Sequence, residues 1–332
     1  MRVGLAGTGR IGTAHAAILG TLPDVESVLV ADVDRGRAEA AAAGLGVEHV
    51  PGIDELFSAG LDGLVITAAT DAHPELIVRA AEAGIPVFCE KPVAADVAGT
   101  LRVIERTRTC GVPVQIGFQR RFDPGHARAR EAVAAGELGR VHTIRSTTLD
   151  PAPPPAEYIP RSGGLFRDCS VHDFDAIRWV TGREVVEVYA LGTNRGEAFF
   201  AEAGDVDTAA AMLTLDDDTI ALVSATRYNG AGYDVRMELF GSRDSIAVGV
   251  DERTPLTSAE PGAGTPKGPP YPHFMDRFRV AYERELATFT AVAAGREPSP
   301  CTPEDALEAF YVAEACEISR RQRRPVKIAE VR

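Results

Sequence analysis

The sequence begins Met1-Arg2-Val3-Gly4-Leu5-Ala6-Gly7-Thr8-Gly9-Arg10-Ile11-Gly12, in which a short apolar run leads directly into a GxGxxG loop. Helix-forming residues follow, so the loop lies between a predicted strand and a predicted helix. In that setting Gly7 allows a tight turn, Gly9 lets the backbone approach a pyrophosphate, and Gly12 lets the helix pack closely on the strand. Amide groups at the start of the helix attract phosphates. The stretch therefore predicts the first βαβ unit of a dinucleotide-binding domain.

Strands and helices continue to alternate as far as residue 122. The apolar runs typical of strands are Arg2–Ala6, Val25–Ala31, Gly63–Thr67, Pro86–Cys89 and Pro113–Gly117, and the helical stretches between them are Ile11–Leu19, Arg35–Ala43, His73–Ala83 and Asp96–Thr109. Gly44, Gly84 and Gly111 follow three of these helices, where a left-handed cap is expected. The alternation predicts right-handed βαβ units and a doubly wound parallel sheet, a Rossmann fold, over residues 1–122.

The pattern changes after Asp123. Strand-like runs now follow one another with little helix between them, at Val141–Leu149, Val185–Leu191, Thr208–Leu215, Ile220–Tyr228, Val235–Phe240 and Ser245–Val250. A helix is predicted at Val171–Thr181, a hairpin turn at Asp216–Asp218, loops at Pro151–Pro160 and Pro255–Pro272, and a helix start at Thr302-Pro303. Residues 123–332 are therefore expected to form an α+β domain with an open, mostly antiparallel sheet, whose final helices are candidates to pack back on the first domain.

Charge and cysteine content limit the class of function. The 332 residues include 48 acidic and 35 basic side chains, a formal net charge of −13. This balance argues against a nucleic-acid partner, because phosphate binding needs clustered cations. Five dispersed cysteines without a CxxC pair are typical of reduced thiols in the cytoplasm. No signal peptide, membrane span or HExxH-type metal site is recognisable, so we expect a cytoplasmic protein with no membrane partner and no metal.

Asp32 ends the second strand-like run, twenty residues after Gly12. Its carboxylate can accept hydrogen bonds from both ribose hydroxyls and would repel a 2′-phosphate, so NAD is favoured over NADP. Arg35 lies three residues further on and could instead hold a 2′-phosphate, so NADP is not excluded. The alternative to cofactor binding is a glycine-rich turn in an α/β protein that binds no nucleotide.

Lysine is rare in this chain, because the only lysines among the 35 basic residues are Lys91, Lys267 and Lys327. Lys91 directly follows Glu90 at the carboxyl end of a predicted parallel strand, where open α/β sheets bind ligands. Pro92 restricts the preceding lysine to extended backbone. A lysine can take part in proton transfer where an arginine cannot. Lys91 is therefore a candidate functional cation, and a solvated surface lysine is the alternative.

A second candidate group lies in Arg167-Asp168-Cys169-Ser170-Val171-His172-Asp173-Phe174-Asp175. Asp168 and His172 are four residues apart, so we expect them on one face of an α-helix. A carboxylate beside an imidazole can set its tautomer and stabilise the imidazolium. A solvated acidic helix start and a metal site remain alternatives on these residues alone.

Together these strings resemble the glucose–fructose oxidoreductase/inositol dehydrogenase (Gfo/Idh/MocA) family of two-domain NAD(P)-dependent oxidoreductases. The resemblance rests on Gly7–His15, Cys89-Glu90-Lys91-Pro92, Gly117–Asp123 and Asp168-x-x-x-His172, and it continues through Gly232–Asp234 to the closing helices. The Arg-Arg-Phe-Asp stretch and the Asp-x-x-x-His-Asp helix look most like bacterial inositol 2-dehydrogenases. The second domain is then expected to serve substrate binding and oligomerisation.

The resemblance implies a catalytic trio of Lys91, Asp168 and His172. Cofactor binding is expected of Gly7, Thr8, Gly9, Arg10, Ile11, Gly12, Asp32, Arg35, His73, Glu90 and Lys91, and substrate binding of Lys91, Gln119, Arg121, Asp150, Asp168, His172 and Tyr233. Gln119 stands where the family often carries a different residue, which leaves the identity of the substrate open.

The expected function is NAD-dependent hydride transfer from a cyclitol CH–OH, with myo-inositol C2 as the expected position and a ketocyclitol as product. A dehydrogenase or reductase of a pyranose, ketosugar or aminocyclitol is the nearest alternative. A non-catalytic dinucleotide sensor is a third, and the presence of Lys91, Asp168 and His172 argues against it. An open sheet with apolar residues on both faces needs covering, so we expect a homo-oligomer, a dimer or tetramer by resemblance.

Overall fold

In the computed structural model, which describes residues 1–264 and 266–332, the chain divides into two units. The first consists of Met1–Phe122 and Val280–Leu307, and the second of Asp123–Arg279 and Glu308–Arg332. Each unit is built on a sheet of its own.

The first sheet is parallel throughout. Its strands are β1 (Arg2–Ala6), β2 (Ser27–Ala31), β3 (Glu48–His49), β4 (Gly63–Ile66), β5 (Val87–Glu90) and β6 (Val114–Gly117), and the helices between them are α1 (Arg10–Leu19), α2 (Arg35–Leu45), α3 (Ile53–Phe57), α4 (His73–Glu82) and α5 (Val97–Cys110). The strand order β3-β2-β1-β4-β5-β6 is that of a dinucleotide-binding sheet, which confirms the predicted Rossmann fold. Helices on both faces bury these strands, which explains why they are nearly continuous apolar runs.

The predicted helix caps are correct at two of three positions. Gly84 and Gly111 have φ angles of 75° and 67°. Gly44, however, lies inside α2, and the left-handed cap is Gly46 with φ 69°. The alanine-rich helix continues through one glycine, at a cost of about 1 kcal/mol, and ends at the next glycine, where the left-handed conformation can be adopted.

The second unit contains the mixed sheet. Its strands are β7 (Val141–Leu149), β8 (Val185–Thr193), β9 (Thr208–Leu215), β10 (Ile220–Thr226), β11 (Asp234–Gly241), β12 (Ser245–Val248) and β13 (Val326–Lys327), and its helices are α6 (Pro124–Ala134), α7 (Val171–Thr181), α8 (Ala198–Glu202) and α9 (Phe274–Arg277). The order is β12-β11-β7-β10-β9-β8-β13. The pairs are antiparallel except for β7 with β10, so the prediction of a mostly antiparallel sheet is confirmed.

Burial alternates along the central strands of this sheet. On β9, Leu213 is fully buried while its neighbour Met212 is 48% exposed. Helix α7 packs against β7 on the covered face. The prediction of a loop over Pro151–Pro160 is only partly correct, because Ala156–Arg161 form a 3₁₀ turn. Asp218 has φ 65° in the predicted hairpin turn between β9 and β10.

The closing helices are α10 (Arg279–Ala293) and α11 (Pro303–Gln322). Leu286 and Phe289 of α10 are fully buried in the core of the first unit, with Val3 and Leu5 of β1. At the start of α11, the Thr302 hydroxyl accepts the Asp305 N–H at 3.2 Å and the Asp305 carboxylate accepts the Thr302 N–H at 2.9 Å, which confirms the predicted N-cap. Throughout the described ranges, none of the helices combines the length and apolar character needed to span a membrane.

Candidate functional site

The glycine-rich loop joins β1 to α1 where the strand order reverses between β1 and β4. Gly7 has φ 100°, and an added Cβ there would lie 2.6 Å from the backbone nitrogen of Ala68. At Gly12 an added Cβ would lie 1.9 Å from the Gly7 carbonyl oxygen. Over Gly9, by contrast, no described atom would lie within 4 Å of an added Cβ. The loop is therefore packed tightly on its protein side and is open over Gly9.

This open position coincides with the start of a helix. Gly9 is the N-cap of α1, and the first turn, Arg10–Thr13, contains a basic residue and no acidic one. The backbone amide donors at the start of α1 and the positive end of its helix dipole therefore face the open space over Gly9. These features fit the pyrophosphate of a dinucleotide.

Asp32 follows β2 and is held by several donors. One carboxylate oxygen accepts the Thr8 N–H at 2.7 Å and the Thr8 hydroxyl at 3.1 Å, and the other accepts the Asp34 N–H at 2.9 Å and the Arg37 guanidinium at 2.9 Å. Burial by itself raises the pKa of Asp32, but these hydrogen bonds and the Arg37 charge outweigh burial and hold the pKa below its ordinary value. Asp32 is therefore ionised and fixed at neutral pH.

The arginine that pairs with Asp32 is Arg37, which is not among the residues predicted from the sequence. The Arg35 side chain is exposed and pairs with Glu39 at 2.7 Å, one turn further along α2. The Arg37 side chain is 55% exposed and reaches back over the helix start to Asp32. Five residues separate Arg37 from Asp32, and no spacing rule singles it out. Arg37 therefore pairs with Asp32, and the cofactor contact predicted for Arg35 stays a prediction.

Glu90, the last residue of β5, is held by a histidine of α1. His15 Nε2 lies 2.8 Å from the Glu90 carboxylate, and because a carboxylate can only accept, Nε2 donates. His15 is fully buried, with the rings of Phe88 and Tyr282 at 5.6 and 5.5 Å. The contact fixes the end of the strand that directly precedes Lys91.

The chain after Lys91 is also held. The Lys91–Pro92 peptide bond is cis, and the Pro92 carbonyl oxygen lies 2.7 Å from His73 Nδ1. His73 Nε2 lies 3.1 Å from the Ala68 carbonyl oxygen, and the ring is 2% exposed. Burial lowers the pKa of His73, against the opposing effect of these carbonyl contacts. His73 therefore ties the segment after β4 to the segment after Lys91, and its predicted contact with the cofactor stays a prediction.

Gln119 and Arg121 lie in a 3₁₀ turn, Gln119–Phe122, that follows β6. Both are buried, with exposed fractions of 5% and 8%. Arg121 donates to the Pro300 carbonyl oxygen at 2.8 Å and lies 3.6 Å from the Asp305 carboxylate. These contacts within the first unit occupy much of the guanidinium, so the substrate contact predicted for Arg121 stays a prediction.

Asp168 and His172 lie in one continuous helical stretch, but the part that contains Asp168 is not α-helical as expected. Phe166–Ser170 form a π-helical turn, and α7 begins at Val171. A π turn closes its hydrogen bonds over five residues instead of the four of an α-helix. Single π turns occur frequently at functional sites.

Asp168 contacts residues from two other segments. One of its oxygens accepts from Arg227 Nη2 at 2.5 Å, and the other accepts from the Tyr158 hydroxyl at 3.0 Å. Arg227 Nη1 donates to Asp150 at 2.9 Å. Sequence reasoning missed both Arg227 and Tyr158, because neither belongs to a motif and both are brought to Asp168 by the fold.

Tyr233 is 6% exposed, and its N–H donates to the Tyr271 carbonyl oxygen at 3.0 Å. The residues expected to act on a substrate thus belong to both units: Lys91, Gln119 and Arg121 to the first, and Asp150, Asp168, His172 and Tyr233 to the second. Within the described part of the chain, no three His, Cys, Asp or Glu side chains are grouped to hold a metal ion.

Two family models match the chain. Residues 1–118 match the model of an oxidoreductase family with an NAD-binding Rossmann fold, and residues 126–247 match that of the GFO/IDH/MocA C-terminal domain. These matches cover the first sheet and most of the second.

Individual proteins are similar over the full length. The myo-inositol dehydrogenase Hyg17 of Streptomyces leeuwenhoekii is 40% identical over 322 residues, which cover 96% of this chain and 97% of that protein. A crystal structure of a probable dehydrogenase from Thermotoga maritima superposes with a TM-score of 0.93 at 36% identity, over 100% of both chains. The structure of scyllo-inositol dehydrogenase from Lactobacillus casei with bound NAD(H) and scyllo-inositol superposes with a TM-score of 0.90 at 30% identity, over 99% of both chains.

Proposed function

The chain belongs to the GFO/IDH/MocA family of oxidoreductases, and we propose that it is an NAD-dependent dehydrogenase that oxidises a ring CH–OH of a cyclitol to a ketone, with myo-inositol C2 as the expected position. The observation that carries the proposal is the 40% identity, along nearly the whole chain, to a myo-inositol dehydrogenase. The open glycine loop and the ionised Asp32 agree with NAD as the cofactor.

The reaction poses a problem of proton removal. A secondary alcohol is about as weak an acid as water, whose pKa is about 15.7. Formation of a free alkoxide at neutral pH would therefore cost roughly 12 kcal/mol, at about 1.36 kcal/mol per pH unit. The protein must accept the hydroxyl proton as the hydride leaves, and a cation should stabilise the oxygen. NAD⁺, when bound, supplies the hydride acceptor at C4 of its nicotinamide.

His172 and Lys91 are the groups we assign to these tasks. An imidazole titrates near neutral pH, so His172 can accept the hydroxyl proton and release it to water. Lys91 supplies the positive charge beside the oxygen or passes the proton on. Glu90 and Pro92, on either side of Lys91, are each contacted by a buried histidine, so the backbone that carries the lysine is fixed. Preorganisation of this kind is what electrostatic catalysis requires.

Asp168 completes the proposed set. Its carboxylate faces Arg227 and the Tyr158 hydroxyl, and these contacts favour the ionised form. An ionised carboxylate can orient His172, stabilise its imidazolium form or accept a hydrogen bond from a second hydroxyl of the substrate.

The substrate class is tested first. Reduction of NAD⁺ is measured by absorbance against a panel of inositol isomers and aldoses, and the measurement is repeated with NADP⁺. We expect turnover with myo-inositol or scyllo-inositol and a preference for NAD⁺. Turnover of aldoses alone would replace the cyclitol by a pyranose. Tight NAD⁺ binding without turnover of any compound in the panel would favour a dinucleotide sensor.

The catalytic assignment is tested by substitution. Lys91→Ala and His172→Ala should each lower kcat by roughly a thousandfold, in the range of general acid–base effects, while NAD⁺ affinity changes little. Lys91→Arg retains the charge but not the capacity to exchange a proton, so it separates the two roles of Lys91. His49→Ala alters a half-exposed histidine of β3 and serves as the control. Near-normal turnover in the alanine variants would contradict the assignment.

We also propose that the chain forms a homo-oligomer through the exposed face of the second sheet. Met212 of β9 lies directly opposite Leu222 of β10, and they are 48% and 42% exposed. Leu191 and Ile220 on the neighbouring rows are 50% and 44% exposed. Apolar side chains that are exposed together across several strands are typical of an interface. The same face also carries charged side chains, such as Arg145, which pairs with Glu238 at 3.7 Å.

The oligomer is tested by light scattering coupled to size exclusion. The wild-type chain should elute as a dimer or tetramer, and Met212→Glu with Leu222→Glu should elute as a smaller species. Leu101→Glu, which alters a 45% exposed leucine of α5 in the first unit, is the matched control. A wild-type monomer, or an unchanged assembly in the double variant, would contradict the proposed interface.

A further inference from the structure

Arg227 lies at the end of the second sheet where two parallel strands finish side by side. β7 and β10 run parallel, and Thr226 is opposite Leu149, so the chain leaves both strands at the same edge. The next residues are Arg227 and Asp150, and Arg227 Nη1 donates to the Asp150 carboxylate at 2.9 Å. The topology of the sheet therefore creates a pair that is 77 residues apart in sequence.

The same guanidinium also contacts Asp168. Arg227 Nη2 lies 2.5 Å from an Asp168 oxygen, and the Arg227 and Asp168 side chains are 5% and 12% exposed. A guanidinium keeps its proton at every accessible pH, and its nitrogens are fixed in one plane. Arg227 is therefore a permanent, rigid cation shared between Asp168 and Asp150.

Tyr158 restrains Asp168 from another direction. It belongs to the 3₁₀ turn Ala156–Arg161, and its hydroxyl donates to the second Asp168 oxygen at 3.0 Å. With one oxygen on Arg227 and the other on Tyr158, rotation of the Asp168 carboxylate would break a hydrogen bond. Asp168 is thus held in one orientation by residues of two separate segments.

We infer that Arg227 is a positioning residue for Asp168, and that Asp150 serves the reaction by holding Arg227 instead of contacting the substrate. The inference rests on the proposed function, because it assigns these roles within the reaction that Asp168 supports. It differs from what the family resemblance implies for Asp150, namely a direct contact with the substrate. The two roles make different kinetic predictions.

The two roles proposed for Asp150 differ in whether its substitution mainly raises KM or mainly lowers kcat. A substrate ligand contributes binding, so Asp150→Asn would mainly raise KM. A residue that positions Asp168 acts on the reacting arrangement, so its loss should mainly lower kcat. If Asp150 acts only through Arg227, its substitution should cost nothing more once Arg227 has been replaced.

The experiment compares Arg227→Gln, Arg227→Lys, Asp150→Asn and the Arg227→Gln/Asp150→Asn double variant with the wild type on its best cyclitol. We expect kcat to fall by about tenfold or more in Arg227→Gln and by less in Asp150→Asn, with KM within about twofold in both. The double variant should be no slower than Arg227→Gln. A tenfold rise in KM for Asp150→Asn would overturn the inference. So would a fall in kcat in the double variant equal to the product of the falls in the two single variants.

A pH profile separates positioning from a general loss of structure. The titratable and charged groups that face Arg227 and Asp168 are Asp150, Cys169, Tyr158 and Asp205, with His172 four residues after Asp168. Removal of a cation from this group favours protonation, so the acid limb of the kcat profile should move upward by about one pH unit in Arg227→Gln. Arg227→Lys keeps the charge and should keep the limb near its wild-type position.

Arg178→Gln is the matched control, because the Arg178 side chain is 8% exposed and donates to Glu184 at 2.6 and 2.8 Å in the same unit. It should lower the unfolding temperature without moving the acid limb, and an equal shift in this control would overturn the inference.

The Arg227→Gln/Asp150→Asn double variant removes one carboxylate together with the cation, so it provides a charge-balanced protein if Arg227→Gln fails to fold. Absence of wild-type turnover would refute the proposed function, whereas unchanged kcat in Arg227→Gln beside an active wild type would refute this inference alone.

Discussion

The contacts of Asp32 lead to a quantitative prediction about cofactor choice. Its two oxygens accept four hydrogen bonds, two from Thr8, one from the Asp34 N–H and one from Arg37. A carboxylate offers about four acceptor sites, so ribose hydroxyls can bind only if a present donor leaves. The donor most easily displaced is Arg37, because its side chain is 55% exposed whereas the backbone donors are fixed. We therefore expect Arg37 to compete with the NAD ribose for Asp32, and to be available to pair with a 2′-phosphate.

The expected magnitudes follow from these contacts. The site that Arg37 leaves can accept one ribose hydrogen bond, which is worth about 1.5–3 kcal/mol to a charged group, so Asp32→Ala should lower NAD⁺ affinity by roughly 10- to 150-fold. It also removes a carboxylate whose repulsion of a phosphate charge at about 4 Å amounts to ~4 kcal/mol near a protein surface. NADP⁺ affinity should therefore rise and exceed that of NAD⁺. Arg37→Ala alone removes an exposed ion pair worth about 0.5–1 kcal/mol, so NAD⁺ binding should tighten by at most about fivefold.

The assay is isothermal titration calorimetry of NAD⁺ and NADP⁺ with the two variants and with Arg35→Ala as the control. Because Arg35 pairs with Glu39, its replacement should leave the affinities for both cofactors unchanged. Thermal unfolding checks that Asp32→Ala retains its loop structure after losing the partner of the Thr8 N–H. A tenfold loss of NAD⁺ affinity in Arg37→Ala would refute the reasoning, because Arg37 would then hold the cofactor instead of competing with it. An unchanged preference for NAD⁺ in Asp32→Ala would refute the role of the carboxylate.

Three further predictions concern stability and reactivity. Phe289→Ala should lower the free energy of unfolding by about 3–5 kcal/mol in urea titrations, because α10 fills the core of the first unit; a loss below about 1 kcal/mol would contradict that packing. Asp123 is buried, which by itself raises its pKa, but His126 and Arg277 outweigh burial and hold the pKa well below its ordinary value. Its contribution to stability is therefore complete above about pH 4 and is lost as the pH falls further, so Asp123→Asn should cost about 3–5 kcal/mol at pH 7 and progressively less on acidification; an equal cost at low pH would contradict this pairing. Cys110 is half-buried and the other four cysteines are buried, so a thiol reagent should label Cys110 first in the native protein, and mass spectrometry that finds another cysteine first would contradict this order.

The fold was accessible from the sequence because its signals are local. Parallel strands buried on both faces are continuous apolar runs, and the half-exposed strands β9 and β10 alternate, so each sheet has its own pattern. The predicted elements that differ from the structure differ for local reasons. Gly44 and Gly46 both suit the end of α2, and nothing in the sequence chooses between them. β3 is two residues long and too short to show a period.

The residues proposed to react could be named from the sequence, but the contacts that support them could not. Lys91 was identified by its place after a strand and before a proline, and Asp168 with His172 by their spacing and family resemblance. His15 meets Glu90 across 75 residues, and Arg227 meets Asp168 across 59. Such pairs depend on which strands and helices become neighbours, and no periodicity or motif encodes that. The π turn at Phe166–Ser170 was missed for a similar reason, since its residues are as compatible with an α-helix.

The scarcity of lysine agrees with this division between reactive and supporting residues. The proposed reaction needs carboxylates that stay ionised and fixed in place, in a chain whose formal net charge is −13. Arginine suits that task, because it keeps its charge when buried and presents several fixed donors, as Arg227 does to Asp168. The same properties disqualify arginine where a proton has to be exchanged. A lysine at position 91, in a chain that otherwise uses arginine, is therefore what the proposed proton transfer requires, and Lys91→Arg is the substitution that separates charge from exchange.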